Sequence, residues 1–409
     1  MKKAVQITLG ILTAIGGFVD IGDLVANSEA GARFGFSLVW VVLLGVVGIV
    51  VFAEMAGRVA AVSTRPVFDL VRERLGARTA LANLLASLFV NLLTVAAEVA
   101  GIAVALQLAT SVNYLLWIPV TAFLVWIVIW RMHFETMEQV FGLAGLALVA
   151  FGVALWKLGP DWGHVLHSVL HPSVPQGEGH PTYFFFAVSL FGAAMTPYEV
   201  FFFSSGAVEE GWTESDLDIE RANVMIGFPL GGALSLSIMA TAALVLAPRH
   251  LSVDNVAQVA LPTTLALGKL GLAALVLGFF AATFGAALET ALSSGYILSQ
   301  YFGWQWGKFV RPLDSPRFHT AVLTTIVVGA MLVLTSLDPV KVTEYSLVLS
   351  AVALPLTYVP ILLIANDPDY MGDRTNSRLA NALGSVFLVV VIVASVAALP
   401  LMLATKAGQ

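Results

Sequence analysis

The sequence predicts an all-α polytopic membrane protein of about eleven transmembrane helices, the first ten forming a 5+5 inverted repeat. Three observations predict it. Of 409 residues, 58% are hydrophobic and only 11% charged, with a mean hydropathy of +0.90; a soluble chain of this length needs far more charged surface. Eleven apolar runs are long enough to cross about 30 Å of hydrocarbon, roughly 20 helical residues each. The first and sixth of these runs are interrupted by carboxylates or proline, and paired interruptions in the two halves of a polytopic chain point to a transporter's binding site.

The expected spans are 4–31, 36–62, 80–109, 113–130, 136–158, 183–208, 223–247, 271–299, 319–336, 343–365 and 380–404. Spans one to five (4–158) and six to ten (183–365) match in length, and each set opens with its broken member. An odd number of helices per set reverses the second copy in the membrane. Span eleven is an addition outside the repeats, and residues 1–409 read as one transmembrane domain. The start Met1-Lys2-Lys3 resembles a signal peptide, but no small-residue cleavage site follows, so the run is expected to stay as span one. With the N-terminus in the cytoplasm, fourteen of the 20 Lys and Arg, among them Arg58, Arg65, Arg72, Arg74, Arg221 and Arg374, fall on the inner side. That orientation, in the cell membrane with Gln409 outside, is the expected one.

Composition also excludes. The absence of cysteine rules out disulfides and thiolate metal sites. A net charge of -6 is small for the length and implies no nucleic-acid partner. Metalloprotease, nucleophile-elbow and P-loop patterns are missing, so no enzyme is expected, and no cofactor or obligatory protein partner is evident.

The first span carries Gly16-Gly17-Phe18-Val19-Asp20-Ile21-Gly22-Asp23. Ionised carboxylates in hydrocarbon are costly and mark function. Asp20 and Asp23, three apart, share a face in an unbroken helix, while Gly22 permits unwinding there. Unwinding frees carbonyls, and two carboxylates with carbonyls form a hard-oxygen cage for a cation. The alternative is that one Asp caps the following half-helix and the other faces outer water. In span six, Pro197 removes a donor and disfavours helix at Thr196, which frees carbonyls at Ala193 and Ala194 and leaves a hydroxyl at Thr196. Glu199 either supports that site or points into an inner vestibule. Glu98 in span three and Glu289 in span eight need partners or water. Glu54 is explained by an i, i+4 pair with Arg58. His164, His167, His171 and His180, with Glu178, crowd the outer loop after span five; they form either a metal-collecting site or a short interfacial helix.

These residues resemble the NRAMP family of divalent metal transporters. The family's first break, Asp-Pro-Gly-Asn followed by Ala-Gly-x-x-Phe-Gly-Tyr/Phe, is matched by Asp20-Ile21-Gly22-Asp23 and Ala30-Gly31-Ala32-Arg33-Phe34-Gly35-Phe36. Its Met-Pro-His stands opposite Thr196-Pro197-Tyr198, and the stretches Asp69–Arg74 and Met371–Arg378 add agreement along the chain. The resemblance implies a LeuT-like fold and metal ligation by Asp20, Asp23, the Ala193 carbonyl and Thr196, with Tyr198, Glu199, Glu98 and Glu289 as supporting or pathway residues. The departures matter: a hydroxyl for a thioether removes the soft ligand, and Asp for Asn adds hard charge. Of the family's helix-three Asp-x-x-Glu pair only Glu98 remains, with Val95 at the Asp position, and Ser346 or Leu347 stands where the family has a helix-ten Gln. Tyrosine at position 198, with an ordinary pKa of about 10, is a poor proton relay. Some relatives lacking the Met are similar in this respect and carry Mg²⁺ without obvious proton coupling.

The expected function is import of a hard divalent cation (Mg²⁺ or Mn²⁺) by alternating access, with proton coupling weak or absent. The alternatives are an ordinary proton-coupled Mn²⁺/Fe²⁺ importer, an organic-solute transporter on the same fold, and a metal-sensing membrane protein. Two aspartates at the break repel a substrate carboxylate, and no long effector domain is present.

Overall fold

The computed structural model describes residue 11 and residues 18–132, 134–335 and 338–408, and all regular structure among them is helical. Ten helical stretches among the described residues are long and apolar enough to cross a membrane: Val39–Ser63, Val67–Thr110, Tyr114–Arg131, Gln139–Leu158, His180–Glu209, Glu214–Arg249, Val256–Phe302, Pro316–Leu334, Pro339–Ala365 and Arg378–Ala404. They coincide in order with expected spans two to eleven. Of span one, the second half is the helix Ile21–Phe34; the rest of the expected run before residue 18, including Gly16 and Gly17, lies outside the described residues apart from residue 11.

The two largest departures from the expected boundaries have one reason. Spans three and eight were expected from 80 and 271 but begin at Val67 and Val256, because each carries a short leading arm joined through a glycine. Gly76 (φ 84°) and Gly268 (φ 67°) adopt left-handed backbone that other residues resist, so the chain turns without ending the helix. Span five is interrupted by a 3₁₀ turn at Leu146–Leu148. Span seven contains a π turn at Asn223–Gly227, just before Pro229, whose missing N–H disturbs the regular ladder.

Burial sorts the helices into core and rim. Spans three and six are 78% and 89% buried along their apolar stretches, whereas spans four and eleven reach only 17% and 22%, as peripheral helices facing lipid should. Span three packs against spans eight, nine and ten, and the described half of span one against spans six, seven and ten. Without a hydrophobic drive between helices in lipid, small residues set these contacts. A Cβ on Gly31 would sit 2.1 Å from the Met239 carbonyl, and one on Gly192 would sit 2.6 Å from the Leu347 carbonyl. Backbones of spans one and seven are therefore drawn together three turns beyond the first break, and those of six and ten just before the second.

The ends of the bundle differ in charge. One end, called the basic end below, gathers Arg58, Arg65, Arg74, Arg221 and Arg374 in ion pairs. At the opposite end the helix Trp162–Leu170, in the loop after span five, exposes Trp162, Leu166 and Leu170 at i, i+4, i+8 spacing, as an interfacial helix does. There the His167 and His171 rings stack and His164 meets Phe36 edge-on. Among the described residues no group of three or more His, Asp or Glu stands in an arrangement that could hold a metal.

Candidate metal site at the two breaks

The break in span one sits at Val19 and Asp20, not at Gly22. Asp20 is the N-cap of Ile21–Phe34, with extended backbone and a carboxylate Oδ1 that accepts from the Asp23 N–H at 2.8 Å. That cap satisfies an orphan donor and lets the helix restart immediately. Gly22 is consequently helical, and its bareness serves contact: a Cβ there would lie 2.7 Å from Leu347 Cδ2. The second oxygen of Asp20 accepts the Tyr198 hydroxyl at 3.2 Å, which ties the first break to the second.

Span six stops at Ala194 and restarts at Pro197, with Met195 and Thr196 between them in non-helical backbone. Pro197 has no N–H to give, so the Ala193 carbonyl loses the donor it would meet one turn on. The Met195 carbonyl is taken by the Tyr358 hydroxyl at 3.1 Å. Thr196 reaches Glu199 at 3.5 Å, the limit of a hydrogen bond.

A small cavity lies between the breaks. Asp20, Gly22, Glu98 and Thr196 line it together with Thr94 of span three and Ser346 and Ser350 of span ten. Glu98 Oε1 accepts the Ile21 N–H at 3.1 Å, so span three holds the broken end of span one, while its Oε2 is buried without a hydrogen-bond partner. Thr94 and Ser346 hydroxyls meet at 2.9 Å. Glu199 Oε1 is likewise buried and unsatisfied.

Of the residues singled out in the sequence, Asp20, Glu98 and Thr196 are brought to one cavity, and Tyr198 and Glu199 stand behind it. Asp23 is buried rather than facing water, and its carboxylate is taken by the Asn27 amide at 2.8 Å and the Ser235 hydroxyl of span seven, away from the cavity lining. Glu289 is buried on span eight, within electrostatic reach of Glu199 but outside the lining. Glu54 pairs with Arg58 at 3.0 Å as its spacing implies. Glu178 holds Arg33 at 2.6 Å, which gives it a partner other than the histidines.

Sequence reasoning passed over Thr94 and Ser350, though a signal was present. Thr94 lies one turn from Glu98 on the same face of span three, and Thr343, Ser346 and Ser350 form a polar row along an otherwise apolar span ten. Among the described residues no Lys, Arg or His hydrogen-bonds or ion-pairs with Asp20, Asp23, Glu98 or Glu199; their partners are hydroxyls, an amide and backbone N–H groups. The cavity thus offers carboxylate and hydroxyl oxygens and no cation of its own, the donor set of a hard metal ion.

The chain matches the family model described as natural resistance-associated macrophage protein-like over residues 10–400. It is 25% identical over 393 residues to the divalent metal cation transporter MntH of Erwinia tasmaniensis, covering 92% of this chain and 89% of that protein. Among solved structures it resembles the Eremococcus coleocola manganese transporter, with a TM-score of 0.75 at 18% identity over 96% of this chain and 85% of the other. It also resembles MhsT in complex with L-phenylalanine, with a TM-score of 0.62 at 18% identity over 97% of each chain. At such identities these two likenesses speak for the shared LeuT-like fold alone. The family-model match, which spans nearly the whole sequence, goes further, and on it the chain belongs to the Nramp family.

Proposed function

We propose that this protein carries a divalent metal cation across the membrane, binding it between the breaks of spans one and six and exposing it to either side in turn. The observation that carries this reading is the group of buried carboxylates without a protein cation. Asp20, Glu98 and Glu199 are each at most 4% exposed, and charge so buried is sustained only when something positive is bound or a proton is taken up. The named functions of the relatives agree, since they are divalent metal and manganese transporters rather than enzymes.

In this reading Asp20, Thr196 and the Ala193 carbonyl bind the ion, with Glu98 beside them. Asp23 joins only if it leaves Ser235 and Asn27, a rearrangement suited to a later step of the cycle. Oxygen-only ligands and the missing thioether favour Mg²⁺ or Mn²⁺, and Tyr198 in place of an imidazole argues against a proton path through span six. Alternating access is supported by the paired breaks and by the matching glycine-jointed arms of spans three and eight, the third helices of the two proposed repeats. The excess of Lys and Arg at the basic end supports a cytoplasmic location for it in a cell-membrane protein.

The test is uptake into proteoliposomes. Asp20→Asn retains an oxygen for the cap and removes the charge; it is expected to reduce divalent uptake to background, as is Asp20→Ala, and uptake at the wild-type rate in both would sink the assignment. A second reading, a proton-coupled Mn²⁺ importer, is favoured by the manganese-transporting structural neighbour. Competition between Mg²⁺, Mn²⁺ and Ca²⁺ with internal pH followed in the same vesicles separates the two.

A further inference from the structure

A second cavity opens at the basic end, between spans two, seven and eleven, and shares no lining residue with the one at the breaks. Its mouth holds Arg58, Arg221 and Arg374, together with the carboxylates Glu54 and Asp373. Its deeper wall is apolar: Val50, Met225 and Leu383. From Arg58 to Val50 is two turns of span two, about 12 Å along the axis. Charge therefore sits at one end of this space, and hydrocarbon-like surface runs inward from it.

The three arginines are not equivalent. Arg58 is buried and fully used: it holds Glu54 at 3.0 Å, the Arg374 carbonyl at 2.5 Å and Asn376 at 2.5 Å. Arg221 and Arg374 have side chains 52% exposed, with their acidic partners Glu54 and Glu214 at 3.6 and 3.7 Å, beyond good hydrogen-bond length. Their donors are thus available at the cavity mouth. Span eleven begins there too: Ser377 caps its first turn, and Ser377, Leu379 and Ala380 line the space, so the positive end of a 27-residue helix faces the same point.

The apolar wall continues onto the surface. Met225 is 54% exposed and Leu379 69%, and Val47, one turn from Val50 on span two, is exposed as well. Such a row is ordinary lipid contact by itself. Joined to two half-free arginines at membrane-surface depth, it has the polarity of a phospholipid, with an anionic head and an acyl tail.

We propose that this cavity binds one anionic phospholipid of the leaflet at the basic end, its phosphate on Arg221 and Arg374 and an acyl chain along Val50, Met225 and Leu383. The lipid would fill a gap between spans seven and eleven and brace the segment 372–378 that Arg58 holds in place.

The experiment uses the full chain, reconstituted in vesicles of equal parts phosphatidylcholine and phosphatidylglycerol, re-extracted, and weighed with its retained lipids by native mass spectrometry. Wild type is expected to keep phosphatidylglycerol in preference to phosphatidylcholine. R221Q with R374Q is expected to weaken that retention about twenty-five-fold, at about fivefold for each basic residue lost. Leu383→Trp, which fills the tail groove with both arginines intact, is expected to lower retention as well. Equal retention of the two lipids by wild type, or undiminished phosphatidylglycerol in the double variant, overturns the proposal. So does inorganic phosphate displacing the lipid at millimolar concentration, which marks a free-anion site. If the double variant does not fold, Arg374→Gln alone carries the test, since it keeps the backbone carbonyl that Arg58 holds.

Discussion

Among the described residues, Asp20, Asp23, Glu98 and Glu199, buried near the two breaks, hydrogen-bond only with hydroxyls, an amide and backbone N–H groups, whereas Glu54, Asp69, Glu73 and Asp367 at the basic end each meet an arginine. The side chains are the same and their electrostatic settings are opposite. Those four basic-end carboxylates are neutralised within the protein, Glu54 and Asp367 by arginines of other segments and Asp69 and Glu73 by Arg65, whereas Glu220 at the same end is buried without a hydrogen-bond partner. Between the breaks, in the reading proposed above, the charge is left for the transported ion. A membrane protein cannot leave buried charge uncompensated without cost, so in that reading the difference separates carboxylates paired within the protein from those that hold the ion.

Several substitutions would break or sharpen this contrast. The largest effect is expected from the Asp20 variants above, which should silence uptake while Arg58 variants should not act through the ion. Arg58→Ala instead strips buried partners from Glu54, the Arg374 carbonyl and Asn376. It is expected to cost about 3 kcal/mol of stability, read as a lowered thermal midpoint in detergent, with the ion preference of the remaining folded protein unchanged. A changed preference would erase the distinction between the two regions. Glu98→Gln keeps an acceptor for the Ile21 N–H but removes a charge from the cavity; divalent uptake at low ion concentration should fall by about tenfold, because affinity follows ligand charge. Uptake equal to wild type would make Glu98 a fastener like Glu54.

Thr196→Met is expected to shift competition uptake several-fold toward Mn²⁺ or Cd²⁺ over Mg²⁺ by supplying a soft ligand, and an unchanged ratio would remove Thr196 from the ligand set. The smallest effect concerns Asp367, which lies outside the spans. Backbone N–H donation from Asp369, with added help from Arg74, holds its carboxyl below the usual carboxylate range. A lowered folded-state value stabilises above the ordinary carboxylate range and is lost as pH falls through the lowered value. The stability difference between wild type and Asp367→Asn should therefore be full at neutral pH and vanish only in strong acid; a difference that disappears near pH 7 would contradict the pairing.

How far the sequence carried can be read from particular residues. The ten described spans fall where hydrophobic runs place them, and Pro197 does break span six, because length, apolarity and a missing N–H act within a few residues of themselves. The Glu54–Arg58 pair was legible for the same reason. Gly22 was misjudged: its position suggested an unwound hinge, but the Asp20 cap restarts the helix and the glycine admits Leu347 instead. Asp23 was legible as a buried charge and not as a partner of Ser235, which lies 212 residues away.

The sequence by itself determined the all-α membrane class, the order of the spans, the two breaks and the oxygen-only character of the residues at them, since hydropathy and backbone chemistry are local properties. Only the tertiary structure decided which of those oxygens meet. Tyr198 reaches Asp20 across 178 residues of chain, and Thr94 reaches Ser346 across 252. It also set the arginine-capped groove among spans two, seven and eleven. Such contacts depend on how close glycine-lined helices approach one another, and that distance is fixed by packing in three dimensions rather than by any neighbour in the chain.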